Sequence, residues 1–215
     1  MDLFDQKPEF QQYLENHCTP EDEVLSELRR YTFLKVTHPR MISGPVQGRF
    51  LEMISKMLQP KRILEVGTYT GYSAICLARG LKDGGKLITI EINDELIEKS
   101  RQFFAKANLQ DSIESMHGDA INLIPQIDDE FDLIFIDAEK ERYIDYYKLC
   151  FPKLKKGGVL IADNVLWDGK VYDESNNNDS ATKAIKQFNK MVQEDPEVEN
   201  MILPLRDGLM VVRKI

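Results

Sequence analysis

The chain has 215 residues, a hydrophobic content of 42%, a charged content of 30% and a formal net charge of −8. The length suits one domain with a complete core, and the acidic balance argues against a surface that attracts nucleic acid or anionic membrane as a whole. No apolar run is long enough to span a bilayer, and the acidic start MDLFDQKPEF lacks the features of a secretory signal, so we expect a cytoplasmic protein without membrane contact.

The cysteines and histidines show no spacing typical of a zinc site or a disulfide framework. Cys76 and Cys150 fall in segments of helical pattern, where a cysteine is expected to serve as a small apolar side chain. The third cysteine is Cys18, and the histidines are His17, His38 and His117.

The first part of the chain is helical in pattern. The segment TPEDEVLSELRRYTFL predicts a helix with Thr19 as its N-cap and Pro20 at its first position. A second helix is predicted over 45–58, ending before Pro60. We therefore expect a single domain, 1–215, with a helical extension over 1–58 and an α/β core over 59–215.

From residue 62 onward, predicted strands and helices alternate. Strands are expected at 62–66, 86–92, 112–118, 131–138, 158–163, 200–205 and 209–215, and helices at 72–81, 94–109, 141–154 and 182–195. Strands that are apolar on both faces and alternate with helices are typical of an open, mostly parallel sheet. A turn across 206–208 would make the last strand antiparallel. The stretch ESNNNDS at 174–180 is expected to be a mobile loop.

An oxygen-bearing side chain closes or follows each of the five strands predicted to be parallel. In an open α/β sheet, ligands bind beyond the carboxyl ends of the strands, near the point where the strand order reverses. Polar endings on one edge of the sheet therefore indicate a site that holds positive charge. The residues are Glu65, Glu91, Asp119, Asp137 and the pair Asp163-Asn164.

The loop EVGTYTG joins the first strand of the core to the next helix. Gly67 and Gly71 permit a tight turn and close approach of the backbone to a ligand. A dinucleotide-binding loop has a glycine where this chain has Tyr69, which argues against a nicotinamide cofactor. Glu91 ends the second strand, where a carboxylate can accept from both hydroxyls of a ribose. Together these features favour a nucleoside ligand without a diphosphate, of which S-adenosylmethionine is the common example.

Asp119 follows the third predicted strand. Its carboxylate is suited to accept a hydrogen bond from an adenine amino group, and equally to cap a helix that begins at Ala120. The two roles are compatible, and both remain open at this point.

Asp137, Asp163 and Asn164 place two carboxylates and one amide carbonyl at the ends of two strands expected to be neighbours. These hard oxygen ligands suit Mg²⁺ first, with Ca²⁺ or Mn²⁺ as alternatives. The alternative is a purely structural role, in which Asp163 caps the next turn and Asn164 forms an Asx-turn.

Lys140 lies three residues after Asp137, where a helix is predicted to begin. A cation is unfavourable at a helix N-terminus, so the placement suggests another role. Beside a divalent ion its pKa could fall far enough to take a substrate proton. A solvated surface lysine, next to Glu141 and Arg142, is the competing interpretation.

The ordered set of motifs resembles the cation-dependent O-methyltransferases that act on small catechol-like substrates, the family of caffeoyl-CoA O-methyltransferase, with catechol O-methyltransferase a more distant relative. The resemblance covers the chain from about position 40 to its end. The segments that carry it are RMISGPVQGRFLEMI, ILEVGTYTGYSAICLA, ITIEIN, GDA, FDLIFIDAEKERYIDYY, GGVLIADNVLWDGKV and LPLRDGLMVVRK.

The resemblance implies a Rossmann-like, S-adenosylmethionine-dependent methyltransferase fold and a homodimer. It implies a metal on Asp137, Asp163 and Asn164, with Lys140 as the candidate base and Trp167 near the substrate mouth. The cofactor contacts that it implies are Met41, Ser43, Glu65, Gly67, Tyr69, Ser73, Glu91, Asp119, Ala120 and Asp137, with aromatic support from Tyr146.

The chain departs from the family pattern in two places. The segment after the helical start often carries threonine and acidic residues in the family, and here it reads MISGPVQ at 41–47. The common Asp-Ala-Asp-Lys of the family reads Asp137-Ala138-Glu139-Lys140 here, so that the predicted ligand and the lysine are kept and the second acid is changed.

The predicted function is methyl transfer from S-adenosylmethionine to one hydroxyl of a small aromatic diol, with a divalent cation bound. One alternative is methylation of a hydroxylated nucleobase in tRNA, for which Lys153, Lys155 and Lys156 could form a local basic patch. Another is a non-catalytic regulator that binds S-adenosylmethionine. Substrate contacts are expected from the first forty residues and from 170–180.

Overall fold

A mixed sheet flanked by helices makes up residues 8–173 and 179–215, the part of the chain that the computed structural model describes. The start MDLFDQK and most of the predicted loop at 174–180 lie outside these residues. The strands are β1 (Arg62–Val66), β2 (Lys86–Glu91), β3 (Ile113–His117), β4 (Phe131–Ile136), β5 (Leu154–Ala162), β6 (Val198–Leu203) and β7 (Leu209–Lys214). The helices are α1 (Pro8–Asn16), α2 (Glu23–Lys35), α3 (Gly44–Leu58), α4 (Tyr72–Ala78), α5 (Asp94–Lys106), α6 (Ala120–Leu123), α7 (Tyr143–Cys150) and α8 (Ser180–Glu194).

Within the described residues, seven strands form one sheet in the order β3-β2-β1-β4-β5-β7-β6, which confirms the predicted fold class. The first five are parallel to one another, and β7 runs antiparallel to both β5 and β6. From β1 the chain places β2 and then β3 on one side, and it then returns to place β4 and β5 on the other side of β1. The strand order therefore reverses between β1 and β4, where a ligand site is expected in such a sheet.

Both faces of the sheet are covered by helices, which is why its central strands are apolar along nearly their whole length. One hydrophobic cluster joins the strands to α6, α7 and α8, and the other joins them to α2, α3, α4 and α5. Along β4, Phe135 belongs to the second cluster and Ile136 to the first, as the alternation of a strand requires. Cys76 and Cys150 are buried free thiols within these clusters, as predicted.

The start of α2 differs from the prediction. Asp22, not Thr19, is the N-cap, and its Oδ1 accepts from the backbone N–H of Leu25 at 3.0 Å. The carbonyls of Thr19 and Pro20 accept instead from the Arg49 guanidinium on α3, at 3.2 and 2.8 Å. The segment before α2 is therefore fixed by a tertiary contact, which outweighs the local preference for a Thr-Pro start.

Three other helices are shorter than predicted, among them α5, which ends at Lys106 and not at residue 109. The helix expected at 141–154 is α7, flanked by tight 3₁₀ turns at Lys140–Arg142 and Phe151–Lys153, so Lys140 begins a turn before the helix. The helix expected at 72–81 ends at Ala78. Among the described residues, no helix is long and apolar enough to cross a membrane.

Candidate active site

The carboxyl ends of β1 and β4 approach each other so closely that position 67 requires glycine. Gly67 has φ of 99°, and a Cβ placed on it would lie 1.9 Å from the carbonyl oxygen of Asp137. The backbone N–H of Asp137 donates to the Val66 carbonyl at 2.9 Å. The predicted tight turn is thus also a contact between two strands, and it brings Asp137 to the start of the glycine loop.

Glu91 ends β2 beside the glycine loop, as predicted. Its Oε2 accepts from the backbone N–H of Tyr69 at 2.6 Å, and its Oε1 accepts from that of Asn93 at 2.9 Å. Burial raises the pKa of this carboxyl, and the N–H groups of Asn93 and Tyr69 oppose that rise. A carboxylate oxygen has more than one acceptor position, so both oxygens can still receive a ligand hydroxyl.

Tyr69, the residue that sets this loop apart from a dinucleotide-binding loop, connects it to the N-terminal part of the chain. Its backbone is left-handed, with φ of 49°. Its hydroxyl donates toward the carbonyls of Thr37 and His38, at 3.0 and 3.3 Å. The side chain therefore holds the segment that precedes α3 against the edge of the sheet.

Glu65 on β1 is a fully buried acid next to this loop. Thr89 on β2 donates to its Oε2 at 2.5 Å, whereas Oε1 has no hydrogen-bond partner among the described residues. Burial raises the pKa of Glu65 to about 8, the hydroxyls of Ser73 and Thr89 lower it, and the charges of Asp137 and Glu91 raise it further. A buried acceptor without a partner is uncommon and suggests a ligand-facing role.

A small cavity of about 10 Å³ lies between the glycine loop and the segment before α3. It has room for about one water molecule, so it is only one part of the space that a nucleoside ligand would occupy. Six of the predicted cofactor residues line it: Met41, Ser43, Gly67, Tyr69, Ser73 and Asp137. The structure places the other five elsewhere: Glu65 and Glu91 beside the loop, and Asp119, Ala120 and Tyr146 around α6 and α7.

Asp119 caps α6 through its Oδ1, which accepts from the backbone N–H of Ile121 at 3.0 Å. The Arg142 guanidinium donates to both of its oxygens, at 3.1 and 3.0 Å. The N–H of Ile121 first, and then Arg142, lower the pKa of Asp119. Arg142 also lies over the Tyr146 ring, 5.9 Å from its centre, so one arginine that the sequence did not single out joins two predicted cofactor residues.

Two of the three predicted metal ligands, Asp137 and Asp163, lie near Lys140. β4 and β5 pair directly, with Ile136 opposite Ala162, and Asp137 and Asp163 are the residues that follow this pair. Lys140 Nζ donates to Asp137 Oδ1 at 2.9 Å and to the Tyr143 hydroxyl at 2.6 Å, and Tyr143 donates to the carbonyl of Asp163 at 2.8 Å. Burial and the nearby Asp137 charge raise the pKa of Asp163. Two carboxylates that repel each other thus face one buried ammonium.

The lowered pKa suggested for Lys140 depends on a divalent ion beside it, and the protein groups by themselves act in the opposite direction. Lys140 is 9% exposed, and its burial does lower its pKa. Tyr143, Asp137 and Asp163 together outweigh burial and raise the pKa above the ordinary lysine value. Lys140 is therefore a charged, hydrogen-bonded group in this arrangement, and the interpretation as a solvated surface lysine was wrong.

Asn164 follows Asp163 with a left-handed backbone, φ of 57°, and the loop after it continues with Trp167 and Asp168 in the same region. Asp207, from the turn between β6 and β7, accepts from the backbone N–H of Asp168 at 2.6 Å and from the Asn164 side chain. Left-handed non-glycine residues are strained and often occur at functional sites.

Gln47 and Arg206 belong to this site and were missed from the sequence. Gln47 is fully buried on α3, and its Nε2 donates to Asp163 Oδ2 at 2.6 Å. Arg206 lies in the turn between β6 and β7 and donates to carbonyls of the cavity wall. No local pattern could have identified these two residues, because their partners lie 116 and 164 positions away in the chain.

Trp167 is half-buried in the strained loop. Its Nε1 donates to Asp179 Oδ2 at 3.2 Å, at the start of α8, and Lys170 lies over its ring. Among the described residues, no group of three or more His, Cys, Asp or Glu side chains could hold a metal ion. The predicted ligand set would not form such a group, because it consists of two carboxylates and an amide.

Comparison with known proteins assigns the chain to a family. Residues 15–215 match a family model described as O-methyltransferase. The chain belongs to the O-methyltransferase family. This confirms the resemblance inferred from the motifs and shows that the protein is an enzyme.

Individual relatives agree with this assignment. The enzyme is 34% identical over 223 residues to caffeoyl-CoA O-methyltransferase 2 of Eucalyptus globulus, which covers 96% of this chain and 88% of the relative. It is 36% identical over 171 residues to a catechol O-methyltransferase of Niastella koreensis, which covers 78% of this chain and 77% of the relative. Among solved structures, the O-methyltransferase of Bacillus cereus in complex with SAH (S-adenosylhomocysteine) superposes with a TM-score of 0.89 at 30% identity, covering 96% of this chain and 97% of the other.

Proposed function

We propose that this enzyme transfers a methyl group from S-adenosylmethionine to one hydroxyl of a small aromatic diol, with a divalent cation held by Asp137, Asp163 and Asn164. The observation that carries the proposal is the position of Asp137. This residue lines the cavity at the glycine loop, and it also belongs to the carboxylate cluster with Lys140. A methyl donor and a cation-bound acceptor would therefore lie side by side.

The residues around the glycine loop suit S-adenosylmethionine. Glu91 offers two oxygens that each keep an acceptor position for a ribose hydroxyl, and Glu65 has an unpartnered buried oxygen. Asp119 keeps acceptor positions beyond its cap and its bonds with Arg142, which leaves the adenine contact open as a proposal. SAH, the product form of this cofactor, is bound in the similar enzyme from Bacillus cereus.

The carboxylate cluster suits a hard divalent cation. Burial and the Asp137 charge raise the pKa of Asp163, so the ionised form of this carboxyl is disfavoured in the protein alone. Such a site gains free energy from a cation, and two carboxylates with an amide oxygen are ligands that Mg²⁺ accepts, with water and substrate completing the shell. Ca²⁺ and Mn²⁺ are the alternatives.

The side chains of the cluster would orient the acceptor and handle its proton. When bound, the cation would supply positive charge that lowers the pKa of the reacting hydroxyl and fixes its orientation. Like-charge repulsion would then lower the pKa of Lys140, whose Nζ we propose as the proton acceptor. Tyr143 holds that Nζ through its hydroxyl, and Trp167 in the next loop is the proposed wall of the substrate mouth.

The direct test is methyl transfer from labelled S-adenosylmethionine to a simple catechol, with Mg²⁺ and then with excess EDTA. We expect turnover with Mg²⁺ and its loss with EDTA, restored by adding the metal back in excess. Turnover that persists in EDTA would rule out the cation. Binding of S-adenosylmethionine without turnover on any simple diol would rule out this acceptor class.

Replacing Glu91 with glutamine is expected to weaken binding of S-adenosylhomocysteine by about tenfold to a hundredfold, because hydrogen bonds to a charged group contribute about 1.5–3 kcal/mol. Isothermal titration calorimetry measures the change. The control is Glu95→Gln, the same substitution at an exposed position at the start of α5. Equal affinity in Glu91→Gln and the control would contradict the proposed ribose contact.

The alternatives gain no support. Two lysines of the basic patch suggested for tRNA have internal partners: Lys153 Nζ donates to the Ile127 carbonyl at 2.5 Å, and Lys155 Nζ pairs with Asp132 at 2.8 Å. A non-catalytic regulator disagrees with membership of an enzyme family. The homodimer expected from the resemblance stays a prediction, which the mass of the protein in solution by light scattering would test.

A further inference from the structure

The turn between β6 and β7 reaches across the site to the wall of the cavity. On this turn, Arg206 Nη1 donates to the carbonyl of Ile42 at 2.8 Å and to that of Ser43, and Nη2 donates to the carbonyl of Arg40 at 3.3 Å. Met41, Ile42 and Ser43 line the cavity. One guanidinium therefore binds three carbonyl groups of a single short wall segment, residues 40–43.

The wall segment has little regular structure of its own. It consists of the end of a 3₁₀ turn, Pro39–Met41, and the residues that lead into α3. Its carbonyls outside a helix need donors from elsewhere, because an unpaired backbone carbonyl in a half-buried place costs free energy. Tyr69 holds the chain just before the segment, at Thr37 and His38, and Arg206 holds the segment itself.

Arg206 makes these contacts from a backbone conformation that glycine adopts more easily. Its φ is 51°, a left-handed conformation that glycine adopts freely and that is unfavourable for arginine. The same guanidinium lies 3.5 Å from Gln47 Oε1, and Gln47 donates to Asp163. Replacing Arg206 with glycine would remove the guanidinium without straining the backbone. A change in cofactor binding would then report on the guanidinium contacts and not on backbone strain.

We propose that Arg206 is a positioning residue that holds the 40–43 wall against the cofactor pocket. The proposal rests on the cofactor pocket described under the proposed function. With the guanidinium in place, the wall is ordered before the cofactor binds, so less conformational entropy is lost on binding. Without it, the cofactor itself must order the wall, and binding becomes weaker while the chemistry of the bound complex changes little.

The test compares Arg206→Gly with Gln59→Gly. Gln59 is an exposed residue that follows α3 with a left-handed φ of 48°, so its substitution relaxes the backbone in the same way without touching the site. We expect S-adenosylhomocysteine to bind Arg206→Gly at least about tenfold more weakly, the effect of one lost charge-assisted hydrogen bond. The KM for S-adenosylmethionine is expected to rise more than kcat falls, and Arg206→Lys to restore part of the affinity.

Hydrogen exchange of the amides of residues 41–43 in the cofactor-free protein provides a second measurement. Faster exchange is expected in Arg206→Gly and not in Gln59→Gly, and thermal unfolding of both variants checks that each remains folded. Unchanged affinity and unchanged exchange in Arg206→Gly would overturn the proposal. If the wild-type protein fails to bind S-adenosylhomocysteine, the cofactor pocket is wrong, and the exchange data still decide whether Arg206 holds the wall.

Discussion

Asp163→Asn is expected to reduce kcat/KM for methyl transfer by about 10³-fold, because a metal ion that polarises the substrate contributes several kcal/mol to transition-state stabilisation. The substitution keeps the shape of the side chain and the oxygen that accepts from the backbone N–H of Asn164. It removes the charge that a divalent cation needs. Steady-state kinetics with labelled S-adenosylmethionine at saturating Mg²⁺ provides the measurement.

The affinity for the cofactor, measured beside turnover, distinguishes a role of Asp163 as metal ligand from a purely structural role. Asp163 does not line the cavity at the glycine loop, so the affinity of Asp163→Asn for S-adenosylhomocysteine should stay within about tenfold of that of the wild-type enzyme. Asp145→Asn, the same change at an exposed position on α7, is the control for turnover. Normal turnover of Asp163→Asn would falsify the assignment of Asp163 as a metal ligand.

Glu65→Gln is expected to change how stability depends on pH. Burial raises the pKa of Glu65 to about 8 from its ordinary value of 4.5. Between these two pH values the folded protein keeps a proton that the unfolded chain has released, so the free energy of unfolding falls as pH rises. For one fully buried group this loss amounts to about 4 kcal/mol from pH 4.5 to pH 8. Glutamine does not titrate and removes this contribution.

Urea unfolding of the cofactor-free protein between pH 4.5 and 8.5 measures the effect. The difference in stability between Glu65→Gln and the wild-type protein should grow in favour of the variant as pH rises through this window. Glutamine retains an oxygen that accepts from Thr89, so packing should change little. Glu114→Gln, the same substitution at an exposed position on β3, is the control. Parallel stability curves for Glu65→Gln and wild type would contradict the raised pKa.

The local features of the fold could be predicted from the sequence. The apolar run at 62–66 coincides with β1, and the turn across 206–208 makes β7 antiparallel, as expected. Asp119 caps a helix that begins at Ala120. The pairing of β4 and β5, which places Asp137 and Asp163 near each other, also followed from alternating strands and helices. In the first three cases the signal lies within a few residues of the feature that it predicts, whereas the β4–β5 pairing follows from the order of strands and helices.

The prediction for the start of α2 failed because a distant residue decided it. Thr19 was predicted to be the N-cap, and its carbonyl instead binds Arg49 on α3. Local propensity contributes at most about a kilocalorie per mole to the position of a helix start, less than a tertiary contact with a charged group can contribute.

The sequence by itself determined the class of fold, the oxygen-rich edge of the sheet and the family, because strand and helix periodicity and the motifs at strand ends are properties of short segments. Only the tertiary structure decided which side chains hold those motifs in place. Gln47 reaches Asp163 and Arg206 reaches the 40–43 wall across more than a hundred residues of chain. Such contacts depend on how α3 and the β6–β7 turn pack on the sheet, and no spacing along the chain encodes them.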